Sequence, residues 1–141
     1  MKLTWKQFVV DVHKVAEKIK FDQFTPDVII AIARGGWVPA RLLSDDLSVK
    51  NIASIGLKYK NAKRTELVAY SLPQIPDGAK DILLVEDMLE SGKSLKWAYE
   101  HYKSEGYNVK TVSCYITEFT SFLPNYYLGK NDIDTKFPWE E

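Results

Sequence analysis

Cysteine is nearly absent from this chain. Cys114 is the only one in 141 residues, which excludes an internal disulfide and argues against a cysteine-based metal site. An excess of charge of one sign is missing too. Nineteen Lys and Arg balance nineteen Asp and Glu, so the formal net charge is zero. Duplex-binding domains normally carry a basic excess, so a nucleic-acid polymer is not an expected partner. No apolar run approaches transmembrane length, and Met1-Lys2-Leu3-Thr4 leads into a helical pattern without a signal peptide. A soluble, cytoplasmic protein with no membrane partner is the expectation. Repeats, linkers and low-complexity segments are also lacking, so residues 1–141 are expected to form one domain. That length, with 45% apolar residues, suffices for a real core.

What is present centres on Asp81-Ile82-Leu83-Leu84-Val85-Glu86-Asp87-Met88-Leu89-Glu90-Ser91-Gly92-Lys93-Ser94-Leu95. Ile82 to Val85 is a short apolar run bounded by charge, the pattern of a buried strand in a parallel sheet. From Ser94 the apolar positions Leu95, Ala98, Tyr99 and Tyr102 fall at helical spacing. The order is therefore strand, acidic tip, tight loop, helix. Such a loop lies at the carboxyl end of a strand, where open α/β sheets bind ligands. Unpaired N–H groups of Ser91 to Ser94, with Lys93 and two serine hydroxyls, would cradle a phosphate. Gly92-Lys93-Ser94 also suggests a nucleoside-triphosphate P-loop, but that motif needs glycine five residues before Gly92. Asp87 stands there and would repel the phosphates. The alternative to a phosphate site is an acidic strand end followed by an ordinary helix cap.

The remaining segments fit one alternating pattern. Thr4 and Gln7 form a capping-box signature, followed by the stripe Phe8, Val12, Val15, Ala16 and Ile19 of a first helix that ends before Pro26. His13 beside that stripe has no metal-ligand candidate at i+4 and reads as a surface or packing residue. Val28 to Ala33 is a buried strand running into Arg34-Gly35-Gly36 and a second helix. Two glycines permit close backbone approach, and Arg34 can grip a phosphate or pyrophosphate, although glycine often serves the turn alone. Ile52 to Tyr59 and Leu67 to Ser71 read as strands around the polar connector Lys60 to Glu66, either a solvated hairpin loop or a mobile functional one. Val112 to Thr117 and Tyr126 to Leu128 complete the strands. Cys114 within the former reads as an inert core thiol.

The Glu86–Ser94 stretch resembles the phosphoribosyl-pyrophosphate (PRPP) signature of the type I phosphoribosyltransferases: an apolar strand, two acids, two apolar residues, Asp-Thr-Gly and a nearby Thr. Glu90, Ser91 and Ser94 stand where Asp, Thr and Thr are commoner. Arg34-Gly35-Gly36-Trp37-Val38-Pro39 resembles the pyrophosphate loop of the 6-oxopurine branch. The ending Phe137-Pro138-Trp139 is similar to the small purine (xanthine-guanine or hypoxanthine type) enzymes. The resemblance spans Thr4 to Glu141.

It implies an α/β fold with a Rossmann-like, parallel-centred sheet, helices on both faces, a flexible loop and a small C-terminal hood. It implies a transferase that joins a nucleobase, in particular a purine, to PRPP and expels pyrophosphate in nucleotide salvage. Mg2+ is the implied cofactor, bound through PRPP with Glu86 and Asp87 as candidate ligands. Glu86 and Asp87 would hold the ribose and Glu90 would serve the base; these three are the candidate catalytic residues. Ser91, Gly92, Lys93 and Ser94 would anchor the 5′-phosphate, and Arg34 and Gly35 would meet the pyrophosphate. Tyr59 and Arg64 fall where the family has a tyrosine and a basic residue on the loop that closes over PRPP. A homodimer is implied as well.

The base-facing half departs from the pattern. Thr117 stands where the family places a lysine for the 6-oxo group, and Asp134 where an aromatic residue stacks on the purine. Phe137 or Trp139 are the candidates to substitute for that ring. A second class therefore stays open: a PRPP- or nucleotide-binding regulatory relative without transferase activity. The connector Lys60 to Glu66 divides the two, because a sensor has no need to close over PRPP.

Overall fold

The computed structural model describes residues 1–140. In chain order its elements are α1 (Trp5–Phe21), β1 (Val28–Ile32), α2 (Trp37–Asp46), β2 (Ile52–Tyr59), β3 (Leu67–Ser71), β4 (Asp81–Leu89), α3 (Lys93–Ser104), β5 (Asn108–Ile116) and β6 (Gly129–Lys130). The six strands form one sheet in the order β3-β2-β1-β4-β5-β6. Only β2 and β3 pair antiparallel; every other neighbouring pair is parallel.

Alternation along the central strands sorts their side chains to two cores. Ile29, Ala31, Leu83, Val85, Val112 and Cys114 face α1 and α2, where Phe8, Val12, Val15, Ala16, Ile19, Ala40 and Leu43 cover them. Val28, Ile30, Ile32, Ile55, Ile82 and Leu84 face α3 through Leu95, Ala98 and Tyr102. Because β1 and β4 are covered on both faces, they read as continuous apolar runs. The α1 capping box forms as its sequence indicates: Thr4 accepts from the Gln7 N–H, and the Gln7 side chain accepts from the Thr4 N–H.

Several boundaries differ from the sequence expectation; β5 begins at Asn108 rather than Val112 because it pairs with β4 from Asp81 onward. β4 does not stop at Val85 but continues to Leu89, so Glu86 and Asp87 lie inside it. The cause is β5, which pairs with β4 as far as Leu89↔Ile116, whereas β1 pairs only as far as Ala31↔Val85. The last strand is Gly129–Lys130 rather than Tyr126 to Leu128; Tyr126 makes only a single bridge to Val112.

The C-terminal segment returns to the beginning of the chain. Lys2 bridges Lys136, and Phe137 stacks on Trp139 at 4.8 Å while both rings meet Phe8 edge-on. The Tyr115 and Tyr126 hydroxyls donate to Asp11 and Asp22, joining β5 and the hood to α1. His13 instead meets Asp46 on α2 at 2.7 Å, with its side chain 55% exposed. Tyr115→Phe should therefore cost about 1–2 kcal/mol in urea unfolding, because a hydrogen bond to a charged acceptor is lost at a buried ring. His13→Ala should stay within about 0.5 kcal/mol, as for exposed ion pairs generally.

Candidate active site

Strand order reverses between β1 and β4. From β1 the chain moves outward to β2 and β3, and from β4 it moves the other way to β5 and β6. The loops after β1 and β4 therefore part and leave a crevice at their carboxyl ends. Because β1 ends at Ile32, residues 86–89 of β4 have no strand partner on that side. Glu86 and Asp87 sit on this open edge, and as consecutive strand residues their side chains diverge.

Glu86 enters a depression of about 220 Å³ lined by Tyr59, Arg64, Glu90 and the loop Ser91 to Ser94. Asp87 enters another of about 700 Å³, with Arg34, Gly35, Trp37, Val38, Trp139 and Glu140. Thus nearly all the signature residues meet, but on two sides of one strand end. Arg64 lies 4.7 Å over the Tyr59 ring, which draws the connector Lys60 to Glu66 toward the first depression.

The loop after β4 opens α3 with Gly92 at φ +83. Among the described residues the N–H groups of Ser91, Gly92 and Ser94 donate to no protein acceptor, whereas Lys93 N–H meets Ser91 Oγ at 3.3 Å. These groups and the Lys93 ammonium gather donors and positive charge at the start of a twelve-residue helix, a setting that favours anions. Gly92 has a second role. A Cβ there would lie 2.7 Å from Thr120 Oγ1 and 2.9 Å from Phe122 Cβ, so the glycine lets the hood loop pack against the turn. That loop is latched to the turn by Ser121 N–H and Oγ–H, both donating to Ser91 O.

Burial governs the acids. It raises the Glu86 carboxyl well above its ordinary range, and the neighbouring Asp87 charge adds to this against a backbone N–H that lowers it. Burial also pushes Asp87 up to about 6, opposed by the Met88 N–H at 2.6 Å and reinforced by the Glu140 and Glu90 charges. Gly35 is what makes room for Asp87, since a Cβ there would stand 2.6 Å from both carboxylate oxygens. Cys114 is buried and free, its thiol pushed up by burial, and is inert.

The base-facing candidates are placed differently from one another. Trp139 borders the Asp87 depression. Phe137 does not reach it: only 2% exposed, it packs against Phe8, Tyr115 and Trp139 because its ring completes the α1 core. Thr117 is 1% exposed, and its hydroxyl donates to Glu90 O at 2.9 Å and accepts from Phe119 N–H. It thereby holds the loop that carries Glu90. Glu140 was not singled out from sequence; an acid directly after the Phe137-Pro138-Trp139 ending was the available signal. Its carboxylate accepts from Phe137 N–H at 2.7 Å, turning the tail back toward Asp87. Among the described residues no group of three or more His, Cys, Asp or Glu could hold a metal.

Comparison with known proteins agrees with this geometry. The family profile of the phosphoribosyl transferase domain matches residues 3–118. The hypoxanthine-guanine phosphoribosyltransferase of Schizosaccharomyces pombe is 35% identical over 112 residues, covering 62% of this chain and 54% of that protein. The chain thus spans about half the length of that curated relative. The crystal structure of a purine phosphoribosyltransferase from Pyrococcus horikoshii Ot3 is 32% identical and superposes with a TM-score of 0.85, covering 100% of this chain and 93% of the other. The Helicobacter pylori xanthine-guanine-hypoxanthine phosphoribosyltransferase shares the fold at a TM-score of 0.87 and 18% identity, covering 99% and 92%. With a family profile matching residues 3–118, and with this strand order and turn, the chain belongs to the phosphoribosyl transferase domain family.

Proposed function

We propose that the chain is a purine phosphoribosyltransferase of nucleotide salvage, joining a purine nitrogen to C1 of PRPP. The C1–oxygen bond breaks, pyrophosphate leaves with the electron pair, and the base gives up its N–H proton. The observation that carries this reading is the meeting of Glu86, Glu90, the Ser91–Ser94 turn, Tyr59 and Arg64 in one depression, with Arg34, Gly35 and Asp87 on the other side of the same strand end.

In this reading the turn amides, the serine hydroxyls and Lys93 take the 5′-phosphate, while Arg34 and the Gly35 backbone meet the pyrophosphate. Glu86 and Asp87 hold the ribose hydroxyls and place negative charge beside the developing ribosyl cation. Glu90, exposed at the mouth, is positioned to take the proton of the base. Arg64 and Tyr59 close over the phosphates and exclude water.

Magnesium fits as a substrate-borne ion. Glu86 and Asp87 are hard oxygen donors, but they diverge into separate depressions and do not form a joint cage. Asp87, beside Arg34, is the carboxylate that would join the shell of a magnesium carried on the pyrophosphate, and the ion would neutralise the leaving group. A homodimer in the cytoplasm belongs to the same proposal; sedimentation as a monomer only, at micromolar concentration, would count against the dimer. Among the described residues no helix is long and apolar enough to cross a membrane.

Turnover with PRPP, magnesium and a panel of purines tests the proposal. Asp87→Asn should lower turnover on the order of a hundredfold or more. The same change should raise Tm at pH 7.5. Burial lifts the folded pKa from 3.8 to about 6, so the protonated form favours the fold below pH 4 and ionisation costs stability as pH rises through 6. The gain in the Asn variant should accordingly shrink toward pH 4. A variant with unchanged turnover and unchanged Tm would make Asp87 an ordinary solvated acid.

Glu90→Gln should alter the pH dependence of the rate rather than PRPP affinity. Lys93→Ala should weaken ribose 5-phosphate binding in calorimetry and steepen neither arm of the pH profile. Gly92→Val is a less clean probe of phosphate contact, because its side chain would also displace Thr120 and Phe122. It should lose both binding and melting temperature. Absence of turnover with every purine, while PRPP binds, would favour a regulatory nucleotide-binding protein.

A further inference from the structure

The turn after β4 is oriented by a residue that lies outside it. Gly92 is buried and lines the depression beside Glu86, and its N–H meets no acceptor among the described residues. A buried N–H without a partner is costly, so something must hold it in that direction. The Gly92 carbonyl is already engaged, accepting from Lys96 N–H at 3.0 Å as the first bond of α3. What remains free to turn is the peptide that joins Ser91 to Gly92. Its C=O and N–H point in opposite directions, because the peptide is trans and planar.

Two orientations of that peptide are open to the chain. Turning it over carries the Gly92 φ from +83 to the negative side, and glycine adopts either sign. In the present orientation the Gly92 N–H opens into the depression. In the other the Ser91 oxygen would take its place and repel an anion.

Ser121 selects between them. Its N–H reaches Ser91 O at 3.1 Å, and its hydroxyl reaches the same atom at 3.2 Å. A peptide turned over would lose both bonds and set the Gly92 N–H against two donors. The two bonds also polarise the carbonyl, which strengthens the N–H of the same peptide as a donor. Ser121 is itself held from both sides. Thr120 Oγ1 donates to Phe122 O and accepts from Phe122 N–H, closing a tight turn around it. The Phe122 ring then meets Tyr99 of α3 at 5.6 Å.

We propose that Ser121 is a positioning residue for the 5′-phosphate: through Ser91 O it locks the Ser91–Gly92 peptide with its N–H turned toward the ligand. The serine has no contact with the phosphate, since the carbonyl it holds is at the far side of the peptide. The population of the locked orientation sets the apparent affinity of the turn. The proposal rests on the transferase reading for the ligand that the turn receives.

The test measures calorimetric affinity of the full chain for ribose 5-phosphate and follows the Ser91 carbonyl carbon and Gly92 amide resonances by NMR. Ser121→Ala removes one of the two bonds and should weaken ribose 5-phosphate binding roughly 2- to 12-fold, the net worth of one hydrogen bond. Because Ser121 is exposed, the alanine should be accommodated with Tm nearly unchanged. The Ser91 carbonyl resonance should move upfield as it loses a donor. Ser121→Thr keeps the hydroxyl and should restore both affinity and resonance. In turnover, Ser121→Ala should raise KM for PRPP by the same factor and nearly keep kcat, because the phosphate contact is equal in ground and transition states. Unchanged ribose 5-phosphate affinity in Ser121→Ala overturns the lock and leaves the transferase reading intact. A loss of affinity with an unmoved Ser91 carbonyl resonance overturns it too. A parent that binds ribose 5-phosphate in this Ser121-dependent way, yet turns over no purine, would sink the transferase reading and retain the lock. Failure of the parent to bind ribose 5-phosphate overturns both.

Discussion

The structure depends on a mismatch in strand length at the centre of the sheet. β4 is held by β5 along its whole length, whereas β1 releases it after Val85. Four residues of β4 are thus anchored on one edge and open on the other, at the point where strand order reverses. A rigid strand therefore carries Glu86 and Asp87, and the turn that follows inherits its position from the same ladder. The Arg34–Gly36 loop occupies the space that β1 vacates, and Gly36 is needed because a Cβ there would lie 2.3 Å from Val85 O.

That arrangement stores an electrostatic cost. Two adjacent carboxylates are partly withdrawn from water and raised above their ordinary range, Asp87 to about 6. Little in the free protein compensates them beyond backbone N–H groups. A ligand that brings partial positive charge, or hydroxyl donors, relieves the strain and gains affinity from it. In the proposed reaction the acids would favour a ribosyl cation by the same desolvation that makes them uncomfortable in the fold. If that role holds, stability and activity oppose each other at this strand end, as they do at many functional sites.

The C-terminal segment connects the fold to the site. Tyr115 and Tyr126 reach acids on α1, and Phe137 and Trp139 cap Phe8, so the hood is part of the α1 core rather than a loose flap. Through Ser121 and Thr117 the same region latches the Ser91–Ser94 turn and the Glu90 backbone. Small substitutions in the hood should therefore be felt at the turn, because the hydrogen bonds that join them are few and direct.

Local patterns carried the elements. The apolar runs of β1 and β4, the capping box of α1 and the strand-loop-helix order around Gly92 are set by neighbours in sequence, and periodicity and turn chemistry reveal them without tertiary information. The signature that marks the family was legible for the same reason: one continuous stretch, Glu86 to Ser94, carries it. Other features required the assembled fold. That β4 outruns β1 follows from cross-strand pairing with β5, which no local pattern encodes. The placement of Phe137 in the α1 core, Thr117 as a latch on Glu90 and Glu140 beside Asp87 each joins residues far apart in the chain. Aromatic, hydroxyl and acidic side chains suit a core, a latch or a ligand equally well. Only the neighbours that tertiary packing supplies decide among those roles, because burial and hydrogen-bond partners are properties of the folded environment and not of the residue.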